Sequence, residues 1–200
     1  MNKPPLVLHI CCAPDEAWVV KTLKEQYTLY SFFCNPNIYP TNEFDVRLAE
    51  AQKVADKFNV PFFYDPYDPD SWENAIKNYT NTPEGGERCR ECFLLRLERT
   101  AIFCKKMNLP AFTTVMSISP HKRIAMLNET GLLAASRHGV SYLCFDFKKK
   151  NGFQQSIILS KELGLYRQDY CGCRLSIAER DLRKQRQQQK LQQLNEQCAQ

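Results

Sequence analysis

Short apolar runs alternate along this chain with longer stretches in which apolar residues return every three or four positions. Leu6–Ile10 predicts a strand, and Glu16–Gln26 a helix with Ala17, Val20 and Leu23 on one face. The aromatic-rich run Tyr27–Cys34 predicts a second strand, broken by Asn35-Pro36-Asn37, after which Thr41-Asn42 can cap a helix over Glu43–Phe58. Val60–Tyr64 reads as a third strand, Asp65–Asp70 as a turn, and Trp72–Tyr79 as a short helix. Beyond Gly85-Gly86 the pattern predicts a long amphipathic helix over Arg88–Met107, a strand over Ala111–Val115, a helix over Pro120–Arg137, a strand over Tyr142–Phe147 and a helix over Gln154–Leu163. Strands alternating with long helices imply βαβ units, hence an α/β fold with a parallel sheet of about five strands covered on both faces.

After Arg174 the character changes. Gln and Arg dominate, yet Leu175, Ala178, Leu182, Leu191, Leu194 and Cys198 keep a partial helical stripe, which predicts a terminal helix docked at its start. No repeat and no flexible linker divides the chain, so the expected organisation is one α/β domain over residues 1–180 and a Gln/Arg-rich helical tail over 181–200.

A hydrophobic fraction of 44% over 200 residues suffices for a single core. The N-terminal residues lack the apolar stretch of a signal peptide, and no run approaches the roughly 18 apolar residues of a membrane span, so a cytoplasmic protein with no membrane partner is expected. In that reducing compartment, ten cysteines point to ligation, catalysis or ordinary burial rather than to a disulfide scaffold. The net charge of +5 permits an anionic partner without requiring one. Lys148-Lys149-Lys150 and Arg180, Arg183, Lys184 and Arg186 are the densest basic groups, suited either to a phosphate backbone or to two solvated faces.

Six cysteines fall into three tight groups: Cys11-Cys12, Cys89-x2-Cys92 and Cys171-Gly172-Cys173. Thiolates converging from separate loops are what zinc or an iron–sulfur cluster requires. Cys89 and Cys92 lie one helical turn apart at a helix start, where the helix N-terminus favours thiolate. Cys11, Cys12, Cys89 and Cys92 could close a zinc tetrahedron, though adjacent cysteines grip one small ion awkwardly. Asp15 is either a helix cap or an oxygen ligand to a metal. His9 is either a core histidine or a hydrogen-bond donor towards the site. Cys171 and Cys173 are too close-coupled for a relaxed disulfide, and read as a cycling redox pair, with a disulfide bond in its oxidised form, or as extra ligands. Cys34, Cys104, Cys144 and Cys198 are scattered and read as small hydrophobes.

An ordered string of motifs then carries a resemblance. It comprises His9-Ile10-Cys11-Cys12-Ala13-Pro14-Asp15, Asn35-Pro36-Asn37-Ile38-Tyr39-Pro40, Glu87-Arg88-Cys89-Arg90-Glu91-Cys92, Phe112-Thr113-Thr114, Ser119-Pro120-His121-Lys122, Ser160-Lys161-Glu162 and Tyr166-Arg167-Gln168-Asp169-Tyr170-Cys171-Gly172-Cys173. Together, from about His9 to Ser176, these strongly resemble the QueH-type epoxyqueuosine reductases. The resemblance implies a fold related to the HUP (Rossmann-like) domains. It also implies cobalamin-independent reduction of epoxyqueuosine to queuosine at the tRNA wobble position, with an external electron donor. The implied cofactors are a 4Fe-4S cluster and an adjacent mononuclear metal ion, expected to be iron. Carried over residue by residue, Cys11, Cys12, Cys89 and Cys92 become cofactor ligands, Asp15 a catalytic ligand of the lone metal, and Cys171 and Cys173 redox groups or ligands. The division of the ligands between the two centres stays open.

The anticodon loop is single-stranded RNA whose bases can stack on aromatic or guanidinium planes, so Tyr39, Arg167 and Tyr170 are candidates to meet the modified base. Two rivals differ in class. An ATP-dependent tRNA thiolase of related fold would begin with a Ser-Gly-Gly-rich phosphate loop, where this chain has Cys-Cys-Ala-Pro. A tRNA-binding module held by structural zinc would be colourless and insensitive to oxygen.

Overall fold

The computed structural model describes residues 3–198, with side chains described through residue 193. Its elements are β1 (Pro5–Ile10), α1 (Ala13–Leu23), β2 (Thr28–Phe33), α2 (Thr41–Phe58), β3 (Phe62–Tyr64), α3 (Pro69–Ile76), α4 (Glu87–Lys106), β4 (Ala111–Thr114), α5 (Ile124–His138), β5 (Ser141–Tyr142), α6 (Gly152–Glu162) and α7 (Arg174–Cys198). The five strands form one sheet in the order β3-β2-β1-β4-β5, and every pairing is parallel. β1 is central, pairing with β2 from Pro5↔Thr28 to Ile10↔Phe33 and with β4 from Val7↔Phe112 to His9↔Thr114.

Both faces are covered, as a parallel sheet requires. Leu6, Leu8 and Ile10 of β1 pack with Val19, Val20 and Leu23 of α1 and with Phe44 and Ala51 of α2. Val7 turns the other way, against Phe93, Leu97 and Ala101 of α4 and Leu127 and Ala134 of α5. β1 leads to α1 and β2, while β4 lies on its other side, so the winding reverses at β1 and opens a crevice beyond its carboxyl end.

Several boundaries differ from the sequence pattern, each for a local reason. β3 starts at Phe62 rather than Val60 because Pro61 has no N–H; its carbonyl accepts from the Ser31 N–H at 2.9 Å. β5 ends after Tyr142, since the next carbonyl, of Leu143, accepts from the Thr113 hydroxyl at 2.8 Å instead of from a ladder N–H. Cys144 therefore sits on an exposed loop and is not the buried small hydrophobe expected, whereas Cys34 and Cys104 are buried as expected. α5 begins at Ile124 because Val115–Ile118 form a 3-10 turn and Ser119–Lys122 a further tight turn, which carries Lys122 to the crevice. Thr41 does not cap α2, whose N-cap is Pro40, while Asp68 caps α3 by accepting from the Ser71 N–H at 3.2 Å.

α7 is continuous, so the boundary expected at residue 180 falls inside a helix. Leu175 packs on Trp72, Ile76, Cys92 and Cys173, and Arg88 of α4 grips Glu179 at 2.6 Å. Leu182 and Leu191 are exposed; Leu194 and Cys198 lie outside the residues whose side chains are described. Apolar docking of the helix thus ends within two turns. Among the described residues, no helix is long and apolar enough to cross a membrane.

Candidate active site

The crevice beyond β1 is a cavity of about 370 Å³ whose wall includes Cys11, Asp15, Arg96, Lys122, Gln168 and Cys171. Cys11 emerges directly from β1, and Cys12 is the N-cap of α1. Asp15, in the first turn, is therefore not the cap; it points back towards the strand end, with Oδ2 3.7 Å from the Cys11 sulfur. The two sulfurs stand 3.8 Å apart, and the ligand atoms of Cys11, Cys12 and Asp15 all lie within 4.8 Å of one another.

These groups strongly perturb each other. The hydrogen bond from the Cys11 thiol draws Cys12 down to about 6, against burial and with help from the Gln168 amide. The same bond, then burial, pushes Cys11 well above the ordinary thiol value. Burial, and then the charge of Cys12, raises the Asp15 carboxyl well above its usual range. A buried anionic thiolate beside a second thiol and a carboxyl is a donor set for one metal ion.

A second thiol group includes Cys171, which lines the cavity. Cys89 and Cys92 occupy the first turns of α4, whose N-cap is Gly86; the Gly85 N–H donates to the Cys89 sulfur at 3.2 Å. Cys92 and Cys173 pack together against Trp72 and Ile76. The Lys122 ammonium donates to the Cys171 sulfur at 2.8 Å. Burial would depress Lys122, but Cys171, Glu84 and Cys89 outweigh it and hold the ammonium above its ordinary value. Burial raises Cys92 to about 12, with Cys171, Cys173 and Cys89 adding to the shift, so the four sulfurs share one neighbourhood.

Cys171 and Cys173 are both free thiols in this structure, the reduced form of the pair. Cys171 turns to Lys122 in the cavity wall, while Cys173 turns into the apolar cluster and takes the Ser176 N–H at 3.4 Å. Gly172 makes this divergence feasible: its φ is +137°, and a Cβ there would lie 3.2 Å from both Arg47 Nη1 and Asn37 Nδ2. Arg47 of α2 holds the loop in place through the Cys171 carbonyl at 3.1 Å and the face of Tyr170, 5.0 Å from the ring centroid.

Between the two thiol groups lies Arg96, 2% exposed, whose guanidinium donates to the Cys34 carbonyl at 3.3 Å and to Asn35 Oδ1 at 2.5 Å. Asn35 in turn donates to the Ile10 carbonyl at 2.9 Å, tying Arg96 to the end of β1. Among the described residues it makes no ion pair with a carboxylate. Burial disfavours its charge, and the nearby Cys92, Cys11 and Cys171 more than offset that.

Of the three residues expected to meet a base, Arg167 and Tyr170 line the cavity. Tyr39 does not; its ring is exposed, and its carbonyl accepts from the Tyr170 hydroxyl at 2.6 Å. His9 is a core histidine, fully buried between the Thr114 hydroxyl at 2.9 Å and the Cys34 carbonyl at 3.1 Å, and burial holds it well below its usual value. The sequence reading assigned no role to Arg96, Lys122, Gln168 or Arg47. Arg96 had a signal in its spacing, one turn beyond Cys92 on the same face of α4.

An all-parallel α/β sheet with a thiol-lined cavity at its switch point places the protein in the HUP-like class. Within that class, the chain belongs to the epoxyqueuosine reductase QueH family, whose model matches residues 6–179, and it is accordingly an oxidoreductase. The epoxyqueuosine reductase QueH of Thermotoga maritima is 36% identical over 178 residues, covering 88% of this chain and 91% of that protein. The Acinetobacter baylyi epoxyqueuosine reductase QueH is 37% identical over 178 residues, covering 88% of this chain and 82% of that protein. A solved structure of a predicted tRNA methyltransferase subunit from Methanocaldococcus jannaschii shares the fold, with a TM-score of 0.54 at 13% identity over 80% of this chain and 89% of that one.

Proposed function

We propose that this chain reduces epoxyqueuosine to queuosine at the wobble position of tRNA, in the cytoplasm, with electrons from an external donor. The observation that carries the reading is that one cavity wall holds a cysteine from each of two thiol groups, Cys11 and Cys171, together with a buried guanidinium that has no carboxylate partner among the described residues. A fully buried cation requires nearby negative charge, and cofactor-bound thiolates supply it.

The donor chemistry fits two centres. Cys89, Cys92, Cys171 and Cys173 are a four-thiolate set for a 4Fe-4S cluster. Cys11, Cys12 and Asp15, two sulfurs and a carboxylate oxygen, suit a single ion such as iron. This assigns Cys171 and Cys173 as ligands and separates Cys11-Cys12 from the Cys-x2-Cys. When bound, the cluster supplies electrons one at a time and the ion supplies Lewis acidity towards the epoxide oxygen.

Conversion of the epoxide to an alkene takes up two electrons and two protons and releases the oxygen as water. Arg167 and Tyr170 flank the cavity, where they can clamp the splayed base. Lys122 keeps its proton and balances the charge of Cys171, while His121, also in the wall, can deliver a proton to the departing oxygen. The Gln168 side chain, in the cavity wall, favours the thiolate of Cys12 and so the donor set at the strand end. No glycine-rich phosphate loop follows β1, where Cys12 caps α1 directly, and this disfavours the ATP-dependent thiolase.

The test is anaerobic conversion of epoxyqueuosine-containing tRNA by reconstituted protein and a strong reductant, followed by nucleoside mass spectrometry. Loss of one oxygen atom is expected. No conversion by protein with an intact iron–sulfur chromophore would overturn the assignment in favour of a metal-binding RNA module.

A further inference from the structure

The residues beyond the family match form a helix that the core hardly uses. Every described residue of α7 from Asp181 to Gln193 is exposed. A 25-residue helix that is polar all round and docked only at its start has no stabilising apolar seam of its own. Its charges are not scattered: Arg180, Arg183, Lys184, Arg186 and Lys190 share a shallow groove with Gln187 along one side of the helix, against a single acidic residue, Asp181, in the same span.

That side divides into an anchored part and a part with no ion pair. Arg180 and Lys184 each reach Asp169 at 2.6 Å, and Arg180 also covers the Tyr170 ring at 5.1 Å from its centroid, so the base of the helix is tied to the rim of the cavity. Arg183, Arg186 and Lys190 make no ion pair among the described residues. Arg183 itself lines the cavity, which makes the helix face continuous with the active site. From Arg183 to Lys190 the helix climbs about 10 Å at its ordinary rise.

We infer that the Arg183–Arg186–Lys190 face of α7 is a docking surface for the phosphate backbone of the tRNA anticodon arm, holding the arm while its wobble base enters the cavity. This rests on the tRNA reading above. Charge complementarity and continuity with the cavity select the occupant, and the neighbouring glutamines add amide donors for phosphate oxygens without breaking the helix.

The experiment measures affinity of the full-length, cofactor-loaded protein for epoxyqueuosine-containing tRNA between about 50 and 200 mM salt, where phosphate contacts dominate the dependence. The triple variant Arg183→Gln, Arg186→Gln, Lys190→Gln keeps helix propensity while removing three charges. Its plot of log affinity against log salt is expected to be shallower by about 2 to 3. A companion with Arg183→Lys and Arg186→Lys, which retains charge, is expected to keep the wild-type slope. An unchanged slope in the glutamine variant would overturn the inference. Unchanged tRNA binding combined with turnover lost only when a protein donor replaces a chemical reductant would also overturn it, assigning the face to an acidic electron-transfer partner. Absence of epoxide reduction by the wild type, with the slope difference intact, would sink the enzymatic reading and leave the RNA surface standing.

Discussion

Two groups of thiols each send one cysteine, Cys11 and Cys171, into the wall of one cavity, and they are built in opposite ways. Cys11, Cys12 and Asp15 come from one short segment, placed by the end of the central strand and the first turn of α1. Cys89, Cys92, Cys171 and Cys173 are brought together only by the docking of α7's first turns on α3 and α4, through Leu175, Trp72 and the Arg88–Glu179 pair. The first group is a property of local geometry, whereas the second exists only in the finished fold. A compact local set suits a single ion; sulfurs gathered from distant segments suit a larger cluster.

The largest effect should come from breaking the gathered group. Cys92→Ser is expected to abolish the iron–sulfur chromophore and, with it, measurable reduction of epoxyqueuosine. Asp15→Asn is expected to keep the chromophore while lowering turnover about a thousandfold, the scale of a lost Lewis acid. Absorption spectra and single-turnover assays on the two variants decide between one centre and two. Loss of the chromophore in Asp15→Asn would show that the groups share a single cofactor.

The same contrast explains what was legible in the sequence. The parallel sheet of about five strands follows from the alternation of strand and helix patterns, and the position of Cys11 just past β1 puts the site at the sheet's carboxyl edge, whereas the strand order needs the fold itself. Asp15 was harder, because a carboxylate near a helix start has a cap reading that only the N-cap geometry of Cys12 removes. The surroundings of Cys171 and Cys173 were not legible. Their spacing offered a redox pair or extra ligands, and it takes the positive φ of Gly172 and the structure around the two side chains to place one beside Lys122 and the other in the Trp72 cluster. Tyr39 has a backbone role that its spacing did not reveal: its N–H and carbonyl bond to the Gly172 and Tyr170 loop, while its ring is exposed outside the cavity wall.

Arg96 links the two groups, so its removal should affect both. In Arg96→Met the Cys34 carbonyl and Asn35 Oδ1 lose a buried donor, and the thiolates lose a neighbouring positive charge. The expected cost is about 2–4 kcal/mol of stability, read by denaturant unfolding of the reconstituted protein, together with a lower iron content per chain. Arg99→Met is the matched control. That guanidinium, on the same helix, pairs with Asp65 and Asp68 nearer the surface, and its loss should cost about 1 kcal/mol or less with full iron content. Equal losses in the two variants would reduce Arg96 to a packing residue.

The smallest and most local effect concerns the strand-end group alone. The thiol of Cys11 donates to Cys12, drawing Cys12 down to about 6, so metal-free protein should carry one thiolate at neutral pH. In the unfolded chain the same cysteine titrates near its ordinary value, well above neutrality. The native state therefore releases a proton that the unfolded state keeps. The resulting stabilisation is complete above the unfolded value, declines as pH falls, and is gone once Cys12 is protonated below about 6. Cys11→Ala removes the donor and leaves burial as the main influence, which should push Cys12 back up. Ultraviolet titration of thiolate in the metal-free protein checks this: the wild type should gain one thiolate near pH 6 that Cys11→Ala lacks. Identical titration curves would mean that the pair is not pre-ionised, and that the proton leaves only when a metal binds.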